Sequence, residues 1–538
     1  MTQYLLAAEA DHIQDLLFRS SQLREVVGGS QLLSRFCEYE DVKREEDKGV
    51  LHLLSDRLGI MPEVVTSGGG RFRITFETES AAHQFGAALA EAYYRATGGT
   101  LTVAEPVAVT DDSKPAWKEA SETAGERLRR AKCGGPPVAT HHIPYIAFCE
   151  SCGVGLAETH EARFSEEDGH YLCPACIDKA TEREKKSKEG FLKKFYDQVP
   201  GASALSWPED ADDVAQYDPR GYVAYIVADG DGMGRVFGKC DKSQSTMLSR
   251  GMDDALREAL AEPTRRFLRN SAANQNPHLV PVLPLILGGD DLFALVPAHW
   301  GLDFALRLCR TFQHAMTQWA HNHSIPHEIT MSAAVVICKA NYPYYLAHQI
   351  GEERLSETKR AVKALAAEGL RLSAVDFEVV LGSQAAPRRQ TNKWRPTLCP
   401  YWVTTETKNK VPDGWGLALD QLLDWRHRLV GTPSRRRSQL REHFDRVPPD
   451  GCADRWDEDL QHILARIERD WTRKDEEQHP VLKSLDELGG LNLEDWHALE
   501  RRNDESSWHG HAMPDLLRAW DWTWDLDYPP IAYEGGER

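Results

Sequence analysis

The 538-residue sequence predicts an α+β protein made of two ferredoxin-like units, a four-cysteine module between them and a helical C-terminal domain. Three observations carry this. The order strand, helix, strand, strand, helix, strand is read twice, over residues 1–107 and 222–379. Two Cys-x-x-Cys pairs fall between the two readings. Beyond residue 381 the pattern turns to helical periodicity and gains tryptophan, with ten of the fifteen tryptophans from Trp402 onward. Domain limits are expected at 1–140, 141–200, 201–380 and 381–538.

In the first unit, Gln3 to Ala8 reads as a strand and Asp11 to Val26 as a helix, with Ile13, Leu16, Leu17, Leu23 and Val26 near helical spacing. Val27-Gly28-Gly29-Ser30 predicts a break, with Ser30 capping a second helix through Leu32, Leu33 and Phe36. Two strands follow about the turn Gly68-Gly69-Gly70, then a helix from Ser80 to Ala96 and a strand from Leu101 to Val109. In the second unit a strand at Tyr222–Ala228 precedes a helix over Ser243–Leu268. A hairpin, a helix over Leu302–His321, a strand over Ile329–Ile337, a helix over Pro343–Ala367 and a strand over Leu372–Val380 complete it. In the tail, helices are expected over Leu417–Val430, Ser434–Phe444, Asp457–Trp471 and Met513–Trp524.

The chemistry concentrates in the second unit. Its hairpin is an apolar run from Pro281 to Leu287, then Gly288-Gly289-Asp290-Asp291, then a second apolar run to Val296. Adjacent carboxylates repel unless a cation sits between them, and a divalent metal is the usual one. Taken alone, a solvated acidic turn accounts for this stretch as well. The strand at Tyr222 ends in Asp229-Gly230-Asp231-Gly232-Met233-Gly234. Carboxylates at two neighbouring strand ends grip metal ions for in-line attack on a phosphate, and glycines let phosphates approach the backbone. Asp229, Asp290 and Asp291 are therefore the candidate catalytic and metal-binding residues. Gly230, Asp231, Gly288 and Gly289 are candidate nucleotide contacts, with Gly68 and Gly69 of the first hairpin. The first unit keeps the glycines but carries Arg71 where an acid would continue the motif. A duplicated pair with one active half would hold two nucleotides face to face; two unrelated ferredoxin-like domains are the plainer reading.

Cys149-x-x-Cys152 and Cys173-x-x-Cys176 are separated by twenty residues, the spacing of a tetrahedral zinc site. Four thiolates leave no position for water, so the zinc is expected to be structural. His141, His142, His160 and His170 are nearby and surplus, and Glu182 to Lys194 reads as a charged, solvated helix.

Composition sets the remaining limits. A net charge of −19 makes the chain a poor independent binder of nucleic acid. The seven cysteines outside the module are scattered, which suits single buried thiols in a reducing compartment. No apolar run reaches the roughly 20 residues of a membrane span. The N-terminus, Met1 to Asp11, has no basic start and meets acid at once, so it does not read as a signal peptide. A cytoplasmic protein without membrane contact is expected.

Ile13-Gln14-Asp15-Leu16-Leu17-Phe18-Arg19, Leu23-Arg24-Glu25-Val26-Val27-Gly28-Gly29-Ser30, the Asp229–Gly234 stretch and Gly288-Gly289-Asp290-Asp291, in this order, resemble the large subunit of type III CRISPR effector complexes, the Cas10/Cmr2 family. The resemblance implies two palm domains. It also implies a nucleotidyltransferase that converts ATP into cyclic oligoadenylates when its complex, with guide RNA and other effector subunits, binds target RNA. It carries metal and catalytic roles to Asp229, Asp290 and Asp291, served by magnesium or manganese. It assigns triphosphate contacts to Lys359 and Lys363. Many members begin with an HD-type nuclease domain. This chain begins on the palm-like strand and shows no paired His-Asp there, so no DNase activity is expected of it. Two other readings stand beside this one: a stand-alone cyclase making a cyclic dinucleotide or other adenylyl conjugate, and a non-catalytic scaffold.

Overall fold

The structure is a computed structural model that describes residues 2–20, 22–39, 48–111, 113–133, 147–162, 169–184, 190–271, 278–325, 329–382, 394–395, 397–405, 410–412, 415–429, 432–445, 453–470, 500–503 and 506–526. The expected boundary at 140, His141, His142 and the helix ends at Val430 and Trp471 lie outside them.

Strands β1 (Gln3–Ala10), β2 (Glu63–Gly68), β3 (Arg71–Phe76) and β4 (Leu101–Val103) form the first sheet in the order β2-β3-β1-β4, antiparallel throughout. This is the ferredoxin-like order. The single strand expected over 101–109 is split. A second piece, β5 (Val107–Val109), pairs with the opposite end of β1, and Pro106 between them has no N–H for a continuous ladder. Successive β1 side chains alternate between two cores. Leu6 and Ala8 face the main core, while Leu5 and Ala7 meet Trp117, Ala120, Ala124 and Leu128. Those four belong to the helix Lys114–Cys133, which the sequence reading did not anticipate because its apolar stripe is thin in a strongly charged segment.

A two-stranded hairpin, β6 (Thr159–Glu161) and β7 (His170–Leu172), belongs to the cysteine module. The second sheet contains β8 (Tyr222–Gly230), β9 (Leu283–Gly288), β10 (Asp291–Pro297), β11 (Met331–Lys339) and β12 (Ser373–Val379). Its run β9-β10-β8-β11 repeats the order of the first sheet. The helix Tyr344–Ala367 then crosses over to place β12 parallel to β11, and Tyr401–Val403 closes the edge. The two halves interlock through exchanged helices. Lys242–Ser271, from the second, lies on β2, and Leu23–Cys37, from the first, lies on β9. One continuous core runs from Leu6 to Leu526.

The tail holds the expected helices as Leu419–Arg428, Ser434–Asp445, Ala453–Asp470 and Met513–Arg518, and adds a small sheet of Trp394–Arg395, Glu500–Asn503 and Ser506–Gly510. Trp402, Trp425, Trp520 and Trp522 are buried, so these tryptophans serve the core. Arg426 lies 4.1 and 4.2 Å from the Trp520 and Trp524 rings, a cation–π seat. Among the described residues no helix is long and apolar enough to cross a membrane.

The N-terminal helices break where the sequence did not suggest it. Helix Ile13–Phe18 ends early, and Leu23–Cys37 then runs unbroken through Gly28 and Gly29. The interruption falls at Ser20, whose hydroxyl accepts the Gln22 N–H and donates to Glu25, offering the backbone an alternative to the helix. The glycines stay helical because another helix presses on them. A Cβ on Gly28 would lie 2.0 Å from the Lys179 carbonyl oxygen of helix Pro174–Glu184. Gly28→Ala is expected to cost about 3 kcal/mol by forcing the helices apart, and to lower the melting temperature. Gly125→Ala, in an open helical position, is expected to leave it level or raise it. Equal melting temperatures for the two variants would contradict this packing.

Candidate active site

Strand register brings the three carboxylates together. Asp229, near the end of β8, pairs directly with Asp291 at the start of β10, and Asp290 sits at the turn between β9 and β10. One oxygen from each of Asp229, Asp290 and Asp291 lies within 4.8 Å of the others. Gly289, in the left-handed region at φ 64°, makes the turn. Such crowding is costly without a cation. Burial, with Asp229 beside it, pushes the Asp290 carboxyl up to about 6. Asp291 opens to the cleft, yet the desolvating walls around it and then Asp229 raise it well above the carboxylate range. Lys359, from helix Tyr344–Ala367, forms an ion pair with Asp229. Burial works to lower the Lys359 ammonium, and Asp229 overrides it, so the lysine is held charged.

Asp231 is placed differently. Its carboxylate accepts hydrogen bonds from Ser332 at 2.7 Å and Thr330 at 2.9 Å, away from the other three. Burial pushes it up to about 6 against those bonds.

The first half repeats this frame with other charges. Glu9 pairs across the strands with Arg71, as Asp229 does with Asp291. Ala10 N–H donates to Gly70 at 2.8 Å, as Gly230 does to Asp290 at 3.2 Å; Asp11 N–H donates to Thr100 at 2.8 Å, as Asp231 does to Thr330 at 2.8 Å. Thr102 donates to the Asp11 carboxylate as Ser332 does to Asp231. Lys132 stands 3.3 Å from Glu9 and 3.2 Å from Asp11, and Arg71 is 3.5 Å from Glu9. Side-chain cations fill the first half, where the second gathers acids. These atom-for-atom parallels favour a duplication over two unrelated domains.

The two glycine hairpins meet tip to tip, with a Cβ on Gly68 only 3.9 Å from Gly289 Cα. Beside them opens a cleft of about 380 Å³, lined from both halves by Gly68, Gly69, Gly288, Gly289, Asp229 and Asp291, among others. His348, lowered to about 4 by burial, forms part of its wall and stays neutral. Lys359 separates this cleft from a second one of about 220 Å³, lined by Gly230, Asp231, Arg235, Thr330, Lys363 and Arg371. The sequence reading named Lys363 but not Arg235 or Arg371, since only the fold brings those arginines to the acids. A cleft of hard oxygen donors beside a cationic one suits a divalent ion and a polyphosphate.

The four cysteines also converge, with one Sγ from each of Cys149, Cys152, Cys173 and Cys176 within 4.8 Å of the others. Cys152 and Cys173 sulfurs are 3.9 Å apart. A tetrahedron with metal–sulfur bonds of about 2.3 Å has edges of about 3.8 Å, so the donor set fits zinc. His170 instead pairs with Glu150 at 2.9 Å.

Residues 222–365 match the family model for the Cas10/Cmr2 second palm domain. Comparison with curated proteins gives no match. Among solved structures, the Csm1–Csm4 cassette in complex with cA4 is 16% identical, with a TM-score of 0.41 over 71% of this chain and 55% of that one. The apo cassette is 16% identical, with a TM-score of 0.42 over 71% and 56%. Csm1 of T. onnurineus is 17% identical, with a TM-score of 0.42 over 69% and 52%. The chain thus matches about half the length of these chains.

Proposed function

We propose, for a chain whose residues 222–365 are a second palm domain of the type III CRISPR large-subunit family Cas10/Cmr2, that the carboxylate cleft is a nucleotidyltransferase site converting ATP into cyclic oligoadenylates. The observation that carries this reading is the convergence of Asp229, Asp290 and Asp291 beside the meeting point of two glycine hairpins.

Asp229, Asp290 and Asp291 would hold magnesium or manganese, which suits their oxygen donors and their crowding. Bound there, the metal would stabilise the attacking oxygen and the leaving phosphate of an in-line displacement. The chain supplies the rest. The cleft shared by the halves seats an acceptor and a donor ATP, with Gly288, Gly289, Gly68 and Gly69 leaving room for phosphates against the backbone. The acceptor 3′-oxygen forms the new bond to the donor α-phosphorus as the α–β phosphoanhydride bond breaks and pyrophosphate leaves. Lys359 pairs with Asp229 and, with Lys363 and Arg235, offers positive charge to the triphosphate. The mirrored frame of the first half, closed by Lys132 and Arg71, serves as the seat for the second nucleotide rather than a second metal site.

The cysteine module is read as a structural zinc site. Guide RNA and the other effector subunits are the proposed partners, with target RNA held through the complex. A chain of net charge −19 leaves most phosphate contacts to such partners.

The test is to incubate the chain with ATP and a divalent metal, with and without its guide complex and matching RNA, and identify products by mass spectrometry. Cyclic oligoadenylates dependent on target RNA are expected. A cyclic dinucleotide or adenylyl conjugate from the chain alone would replace this reading with a stand-alone cyclase. No product under any condition would leave a scaffold.

A further inference from the structure

The turn that presents Asp290 and Asp291 is held from outside the hairpin. Asp253 lies in helix Lys242–Ser271, 36 residues before Gly289, and its Oδ1 accepts the Gly289 N–H at 2.7 Å. Gly289 has φ 64° and immediately precedes the two acids, so the orientation of its N–H fixes how the chain enters Asp290. Burial raises the Asp253 carboxyl, and the Gly289 hydrogen bond works against that rise. Asp253 belongs to the wall of the main cleft but stands outside the group of carboxylates that converge within 4.8 Å.

The first half braces its hairpin from the equivalent side with weaker groups. There Ser67 donates its hydroxyl to the Cys37 carbonyl at 2.5 Å. Cys37 ends helix Leu23–Cys37, which lies on β9, and Asp253 rides on the helix that lies on β2. Each hairpin tip is therefore tied to a helix that also packs on the opposite half. The tip with the metal-binding acids is tied by a carboxylate, whose bond to an amide is the stronger kind.

We infer that Asp253 is a positioning residue of the second palm: by holding the Gly289 N–H it sets Asp290 and Asp291 in the geometry that binds metal. This rests on the proposed metal-dependent reading of that site. A misplacement of about 1 Å at such a site costs up to about a hundredfold in rate.

The test compares full-length parent, Asp253→Ala and Asp253→Asn. Manganese binding is followed by electron paramagnetic resonance, and ATP turnover is followed in the assembled complex against magnesium and ATP concentration. Asp253→Ala is expected to weaken manganese binding about tenfold and to lower kcat about tenfold to a hundredfold, while KM for ATP moves less than about threefold. Asp253→Asn keeps an oxygen acceptor and is expected to recover manganese binding to within about threefold. Metal binding in Asp253→Ala equal to the parent would overturn the inference. So would an Asn variant as impaired as the Ala variant, which would assign the effect to charge. If Asp253→Ala melts before assay, Asp253→Ser takes its place with the same expectation. A parent that binds manganese without turning over ATP removes the catalytic reading, while the binding arm still decides the role of Asp253.

Discussion

Replacing Asp290 and Asp291 together by asparagine is expected to lower nucleotide turnover by about three orders of magnitude or more, with no loss of melting temperature in metal-free protein. The two halves of this expectation have one cause. Asp290 and Asp291 are crowded, desolvated and repelled by Asp229, as their raised carboxyls show, so the metal-free fold gains nothing from the charge of these two. Asparagine preserves volume and removes that repulsion. It also removes two anionic ligands from the proposed metal site, where bound metals would stabilise the transition state by several kcal/mol, and each 1.4 kcal/mol is about tenfold in rate. Lys359 would remain paired with Asp229, so the wall between the two clefts should stay in place. A double mutant with undiminished turnover, measured as pyrophosphate release, would place the chemistry elsewhere.

Loss of the zinc ligands should show the opposite pattern, a stability effect first. The hairpin β6–β7 and helix Pro174–Glu184 bury little apolar surface of their own; the four sulfurs form a small core with Leu172. That helix nevertheless supports the first half. Lys179 is buried and donates to the Leu16 carbonyl at 2.6 Å, and Glu182 pairs with Arg35 at 2.5 Å. Ser151, between two of the cysteines, donates to the buried Glu25. Cys173→Ser, or treatment with a strong chelator, is expected to lower the melting temperature by roughly 5 °C or more, because metal binding free energy is folding free energy here. Calorimetry with and without chelator checks it. An unchanged transition, with zinc loss verified by metal analysis, would contradict a structural zinc.

Much of this was legible in the chain because it is local. Alternating apolar runs around glycine turns mark both hairpins, and Asp290 and Asp291 are neighbours in sequence. The cysteine pairs are legible for the same reason. What escaped depends on register or on distant packing. Arg71 was visible where an acid would continue the motif, but strand pairing sets Glu9 against it and a helix beyond β5 brings Lys132 to Glu9, which no local pattern encodes. Asp253 is one acid among many on a long helix until Gly289 is brought to it. At Gly28 and Gly29, propensity argued for a break, and the pressure of the helix bearing Lys179 overrode it. Pro106, conversely, was a local signal that should have divided the strand over 101–109.

The central claim is that divalent metal and ATP meet at the three carboxylates. Diffraction from crystals grown with manganese and a non-hydrolysable ATP analogue, recorded at the manganese edge, tests it most directly. The account predicts anomalous density between Asp229, Asp290 and Asp291, with the analogue's triphosphate turned toward Lys359 and Lys363. Manganese absent from that cluster, with the analogue bound elsewhere on the chain, would contradict it.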